Sequence, residues 1–138
     1  MKPPIAISSA QALQRYRLRH GLSETMCTPD GGLRILAGAG IRMSLQQAPN
    51  AAIVLRARIG TLPREPMARA QMVCRVGMFA AGLMAISPAS CTIDAEGYAL
   101  YLWQRMSAGG GEQELDDGVA LFARTCQMWR ETLTRLEH

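Results

Sequence analysis

Apolar side chains in the last quarter of the chain recur at alternating steps of four and three residues. They are Leu115, Val119, Phe122, Cys126, Trp129, Leu133 and Leu136. This spacing places every member on one face of a helix, so the segment after Gly111 is predicted to be an amphipathic helix. Asp116 and Asp117 lie near its start and Arg130 and Arg135 toward its end, which suits the helix dipole and explains these charges.

Alternation of side-chain character predicts strands in the middle of the chain. Residues 33–37, 41–47 and 51–59 read as three strands joined by short glycine or proline turns. Residues 91–94 and 98–105 read as a second hairpin around an acidic, glycine-containing turn at residues 94–97. The pattern indicates an antiparallel sheet with one covered face and one wet face.

Two further helices complete the pattern. Ser8 and Gln11 form a capping box at the start of the first helix, and Gly21 ends it. Pro66 begins the second helix, which is expected to end around residues 79–82. Its inner face is predicted to contain Met67, Ala70, Val73 or Cys74, and Gly77.

The predicted element order is α-β-β-β-α-β-β-α. This order favours one α+β domain spanning residues 1–138, with a twisted antiparallel sheet flanked by helices. The only flexible connector expected is residues 107–112, which contain the run Gly109–Gly111.

Charge leaves a nucleic-acid hypothesis open. The net charge is +4, yet the arginines are scattered along the chain and Lys2 is the only lysine. Nucleic-acid-binding domains usually concentrate positive charge on one face and carry a recognisable binding motif, and the sequence shows neither feature. The hypothesis of a small basic nucleic-acid-binding α+β domain therefore requires Arg34, Arg42, Arg56 and Arg58 to converge on one face.

Catalytic and metal chemistry find little support in the sequence. Cys27, Cys74, Cys91 and Cys126 lack the paired spacing of zinc ligands, and only His20 and the terminal His138 could supplement them. Cys74 and Cys126 are expected to be small buried hydrophobic residues. We therefore expect no enzymatic activity, no metal and no cofactor. A thiol-dependent enzyme with Cys27 as nucleophile is the remaining alternative of that class.

Targeting signals are also lacking. Residues 1–14 are too polar for the core of a signal peptide, and no apolar run is long enough to span a bilayer. The sequence therefore predicts a cytoplasmic protein without membrane insertion.

A binding surface is the remaining interpretation. A three-stranded meander can offer a strand edge to an extended partner. On the sheet face opposite the predicted core, Leu36, Val54, Tyr101 and Trp103 are difficult to bury in a monomer and are assigned to a partner or a second subunit.

The element order, the length and several segments resemble the class I chaperones of bacterial type III secretion systems. The closest likeness runs from residues 93–106 through Leu115 to residues 129–133, and Gly21-Leu22 and residues 59–63 also fit. The resemblance implies a homodimeric, cytoplasmic, non-enzymatic protein. It would bind the N-terminal chaperone-binding segment of a secreted effector, keep that segment extended, and aid delivery to the export apparatus, with the export ATPase as a further candidate partner.

The resemblance also implies two sets of contact residues. The effector-binding set is Leu13, Tyr16, Leu33, Ile35, Leu36, Met43 and Val54. The dimer set is Met72, Val76, Met78, Phe79 and Trp103. Because members of the family are usually acidic and this chain is basic, we expect its partner segment to be more acidic than usual, and we expect no nucleic acid as partner.

Overall fold

The computed structural model describes residues 8–38 and 40–137. Residues 1–7, which belong to the segment judged too polar for a signal peptide, lie outside the described residues, as do Ala39 and His138. The elements are α1 (Ser9–Arg19), β1 (Leu33–Ala37), β2 (Ile41–Ala48), β3 (Ala52–Thr61), α2 (Pro66–Leu83), β4 (Ser90–Ile93), β5 (Ala99–Ser107) and α3 (Glu112–Leu136). The predicted order is confirmed, and two short 3-10 turns are added at Glu24–Met26 and Ala108–Gly110.

The five strands form one antiparallel sheet in the order β1-β2-β3-β5-β4. β1 and β4 therefore lie at the two edges. The pairing of β3 with β5 shifts between Arg58 and Gly60, where a side chain on residue 60 would collide with Leu133 of α3. A glycine at this position lets α3 pack closely against the central strand.

Helices α1 and α3 cover one face of the sheet. The predicted stripe on α3 is confirmed, because its members from Leu115 to Leu133 are buried and Leu136 packs against the cluster. On α1, Leu13 and Tyr16 are buried in the same cluster, and the Ser8–Gln11 capping box forms as predicted. Burial of these apolar surfaces is the main contribution to folding.

An ionic contact joins the ends of α1 and α3. The Arg19 guanidinium donates to the Asp116 carboxylate, with Nε to Oδ2 at 3.2 Å, and His20 Nε2 lies 3.1 Å from Oδ1. The hydrogen bond from Arg19, more than the contact with His20, lowers the pKa of Asp116. The explanation of Asp116 as a helix-start charge alone was therefore incomplete, because this carboxylate also links two helices.

The prediction for the inner face of α2 was wrong. Met72 and Val76 are its buried residues, whereas Met67 is 67% exposed and Val73 and Cys74 also face outward. The helix is apolar on most of its circumference, so periodicity could not distinguish the inward face from the outward one.

The connector between β5 and α3 was also misjudged. Residues expected to form a flexible linker instead form the 3-10 turn Ala108–Gly110. Ala108 is buried, and its N–H donates to the Ala51 carbonyl at 2.8 Å. This turn fixes the point where α3 begins.

Candidate binding surface

The face of the sheet opposite α1 and α3 is open. The strand register places Arg34 and Leu36 of β1, Arg42, Ser44 and Gln46 of β2, Val54, Arg56 and Arg58 of β3, and Tyr101, Trp103 and Arg105 of β5 on this face. We call this surface the open face. Its arginines and Leu36 are exposed, whereas Val54 and Tyr101 are half-buried. The prediction of one covered face and one wet face is thus confirmed.

Arginine is the only charged residue type on the strands. None of the residues in the five strands is Asp or Glu, so the open face is positively charged throughout. Arg34, Arg42, Arg56 and Arg58 line a shared groove of about 620 Å³ together with Leu36 and Tyr101. Among residues 8–38 and 40–137, none of these arginines has a carboxylate oxygen within ion-pair distance.

Two of the arginines that line this groove contact uncharged side chains of the protein. The guanidinium carbon of Arg56 lies 3.9 Å above the centre of the Tyr101 ring, a cation–π contact that holds the side chain along the sheet. Arg58 donates to the Thr61 hydroxyl at 2.8 Å. Both guanidinium groups keep further N–H donors for a ligand, because each has five.

The carboxylates of Asp94 and Asp30 accept hydrogen bonds within turns. The Asp94 carboxylate accepts hydrogen bonds from the backbone N–H groups of Ala99, Tyr98 and Gly97, and these bonds lower its pKa, with a smaller contribution from the charge of Arg58. Asp94 is therefore a turn residue, as the acidic turn predicted at residues 94–97 requires. The Thr28 hydroxyl likewise lowers the pKa of Asp30.

A free strand edge adjoins the open face. On one side β1 pairs with β2, and on the other Leu33 forms an isolated bridge with Cys27. Within residues 8–38 and 40–137, the rest of that outer side has no strand partner, and Leu36 there is 66% exposed. Such an edge presents unpaired backbone N–H and C=O groups, which an extended peptide can use.

The residues of the predicted effector-binding set differ in burial. Leu13, Leu33 and Met43 are at most 3% exposed, and Tyr16 and Ile35 are also buried. Leu36 is exposed, and Val54 is half-buried on the open face. The surface thus presents two residues of this set, while the others lie in the core beneath it.

The residues of the predicted dimer set also differ in burial. Met72 and Val76 are buried within the chain, and Phe79 packs edge-on against Trp129 with ring centres 4.7 Å apart. Met78 is 77% exposed on the outer side of α2. Trp103, at 36% exposure, lies on the open face instead. A groove of about 410 Å³ separates α2 from β4 and is lined by apolar side chains of both elements.

The other candidates for chemistry lie apart from the open face or are occupied. Burial raises the pKa of Cys91 to about 11 and that of Cys126 to about 12, so few of these thiols ionise near pH 7. Cys27 is exposed and free. Across the described part of the chain, no three His, Cys, Asp or Glu side chains are grouped to hold a metal ion. No described helix is long and apolar enough to cross a membrane.

The sequence predicts only part of the convergence of the arginines on the open face. Alternation along β3 places Arg56 and Arg58 on the same face, but the position of Arg34 and Arg42 depends on how β1 and β2 pair. Arg105 was missed, although alternation along β5 places it on the same face as Tyr101 and Trp103; its position beside Val54 depends on the pairing of β3 with β5.

Neither a protein-family model nor a curated protein matches this chain. Its fold is similar to that of several solved structures. A chain of the ExsC–ExsE complex superposes with a TM-score of 0.69 at 13% identity, over 94% of this chain and 97% of that chain. The Yersinia pestis type III secretion chaperone SycH in complex with a stable fragment of YscM2 gives 0.63 at 13% identity, over 88% and 99%. The HopA1–SchA chaperone–effector complex gives 0.61 at 11% identity, over 87% and 91%.

These likenesses establish the architecture. The chain has the fold of the type III secretion chaperones, and the resemblance is confirmed at that level.

Proposed function

We propose that this protein is a cytoplasmic chaperone for a type III secreted effector. It binds the N-terminal chaperone-binding segment of that effector, keeps the segment extended, and aids its delivery to the export apparatus. The observation that supports this most strongly is a fold similar over 94% of the chain to a chain of the ExsC–ExsE complex, together with likeness to a structure described as a chaperone–effector complex.

The edge of β1 is the proposed point of attachment. An extended effector segment would hydrogen-bond to the outer side of this strand, and its alternate side chains would contact Leu36. Val54 lies two strands further in, on β3, so it would contact the part of the segment that continues across the open face. The buried members of the effector-binding set, such as Leu33 and Ile35, would act indirectly by holding the edge strand in place.

A homodimer is the proposed assembly. The exposed side chains of Met67 and Met78 on α2, and of Met84 directly after its end, would be covered by a second copy. Met72, Val76 and Phe79 would support this helix from its inner side. The export ATPase is a further proposed partner, and no catalytic role is proposed.

Affinity purification followed by mass spectrometry tests this function. The tagged protein is purified from its own bacterium at low and at high salt, and each copurifying protein is identified. The proposal predicts a secreted-type protein that is retained at high salt and is lost when its N-terminal region is deleted. Capture of no secreted-type protein, or capture that survives this deletion, would contradict it.

A second candidate function is nucleic-acid binding. The observation in its favour is the convergence of Arg34, Arg42, Arg56 and Arg58 on one groove. Binding of this kind weakens steeply with salt, because phosphate contacts release counterions. Nucleic acid that copurifies at low salt and is washed off at high salt, without a protein partner, would support it.

A further inference from the structure

The charged side chains on the open face are all arginines, although Arg58 and Arg34 also act on the carboxylates of Asp94 and Asp30 in turns outside the strands. All eleven acidic residues lie outside the strands, in helices, turns and loops. The arginines of the strands all project to the side away from α1 and α3. A sheet face that carries positive charge without ion pairs among its own side chains attracts negatively charged groups.

We propose that the open face recognises a stretch of the bound protein segment in which acidic residues occupy alternate positions. This inference rests on the proposed function and specifies the chemistry of its partner. Arg56 and Arg58 are two positions apart on β3 and point the same way, which separates them by about 6.6 Å along the strand. Alternate side chains of an extended peptide have the same spacing, so successive carboxylates can meet successive guanidinium groups.

The apolar residues on this face favour a peptide over a nucleic acid. Leu36 borders the arginine groove, and Val54 lies two positions from Arg56 on the same strand. Aliphatic side chains of a peptide can cover both, whereas a sugar–phosphate backbone leaves them facing polar groups. The Tyr101 ring has one face covered by Arg56, which reduces its use for stacking on a base.

Binding of defined probes tests the proposal. The first probe is a fluorescent synthetic peptide in which Glu alternates with Thr. The second probe is its matched control, a peptide in which Gln replaces every Glu. The third probe is an oligothymidine strand. Fluorescence anisotropy measures the affinity of the full chain for each probe between about 50 and 200 mM salt.

The expected result is that the Glu peptide binds at least about tenfold more tightly than the Gln peptide at low salt, an advantage that shrinks as salt rises. The Glu peptide should also bind more tightly than the oligothymidine. Equal affinity for the two peptides, no binding of either peptide, or tighter binding of the oligothymidine would overturn the proposal.

Two charge-matched variants locate the site. One variant combines Arg42→Gln with Arg56→Gln on the open face. The control combines Arg15→Gln with Arg124→Gln, which are exposed positions on α1 and α3. Both lose the same net charge, so only a local site makes them differ. We expect the open-face variant to lose about five- to thirtyfold in affinity for the Glu peptide and the control to lose less than about twofold.

An equal loss of affinity for the Glu peptide in both variants would show that the effect depends on net charge alone, and it would overturn the proposal of a local site. Circular dichroism and thermal unfolding establish that each variant is folded. The comparison of the two peptides on the unaltered chain needs no variant, so it remains decisive if a variant fails to fold.

This test is separable from that of the proposed function. A captured effector that binds the open-face variant as tightly as the unaltered chain would leave the chaperone function standing and remove the acidic-segment proposal. Selective binding of the Glu peptide without any captured effector would support recognition of acidic segments by the open face and contradict the chaperone function.

Discussion

Two leucines of the proposed effector-binding set separate folding from binding. Leu13 on α1 is 1% exposed and Leu36 on β1 is 66% exposed. Leu13→Ala would leave a cavity between α1 and the sheet and should lower the free energy of unfolding by about 2–5 kcal/mol. Leu36→Ala removes a side chain already in water, so its effect on that free energy should stay within about 0.5 kcal/mol.

Urea unfolding followed by circular dichroism measures this contrast. For a domain of this size the free energy of unfolding falls by about 1–3 kcal/mol per molar urea. The midpoint for Leu13→Ala should therefore drop by on the order of 1–2 M, with an unchanged slope, while that for Leu36→Ala should hardly move. All samples are compared at one protein concentration, because a dimer makes the midpoint depend on concentration.

Binding should show the opposite order. Covering a leucine side chain fully is worth about 1.5–3 kcal/mol, so losing most of this contact at Leu36 should weaken binding of the captured effector segment by about tenfold. Leu13→Ala, wherever it remains folded, should bind nearly normally. The reasoning would be refuted if Leu36→Ala destabilised the fold as much as Leu13→Ala, or if it left the effector affinity unchanged.

Three further predictions concern the contact between α1 and α3, the exposed side of α2, and the thiols. Because its arginine partner on α1 lowers the pKa of Asp116, the carboxylate stabilises the fold above its unfolded pKa, and this stabilisation is lost as the pH falls through the lowered folded value. Asp116→Asn should thus lower the free energy of unfolding by about 0.2–1 kcal/mol near pH 7 and by progressively less below about pH 4, as measured by urea unfolding across pH. Met78→Glu on the exposed side of α2 should convert the proposed dimer to a monomer in analytical ultracentrifugation, whereas Leu121→Glu on α3 should not. Iodoacetamide should label exposed Cys27 in the folded protein without loss of effector binding, and Cys126 only after unfolding, as read by mass spectrometry.

Each of these predictions has a result that would count against it. A constant difference between Asp116→Asn and the unaltered chain across the acid range would show that its ionic contact does not act in folding. A dimer that survives Met78→Glu would move the proposed interface away from α2. Loss of binding on alkylation of Cys27 would favour the thiol-dependent alternative.

Local signals in the sequence were sufficient to predict most of the fold. The α3 stripe, the Ser8–Gln11 capping box and the alternation along β2 and β3 each depend on residues close together in the chain, and each is confirmed. The face of α2 could not be predicted, because a helix that is apolar on most sides is oriented by its neighbours. Its contact between Phe79 and Trp129 joins residues fifty positions apart.

The candidate binding surface was harder to predict for a similar reason. Alternation tells which residues of a strand share a face, but not which strands lie side by side. Arg34 and Arg42 join Arg56 and Arg58 only through the pairing of β1, β2 and β3. The same limitation affected the effector-binding set, in which Leu36 is exposed while its neighbour Ile35 is buried.

The most direct test of the chaperone function is the purification of the tagged protein from its own bacterium with identification of what it retains. The account predicts a secreted-type protein that stays bound at high salt and requires its own N-terminal region for capture. A preparation that holds no such protein, or holds only nucleic acid that high salt removes, would contradict it.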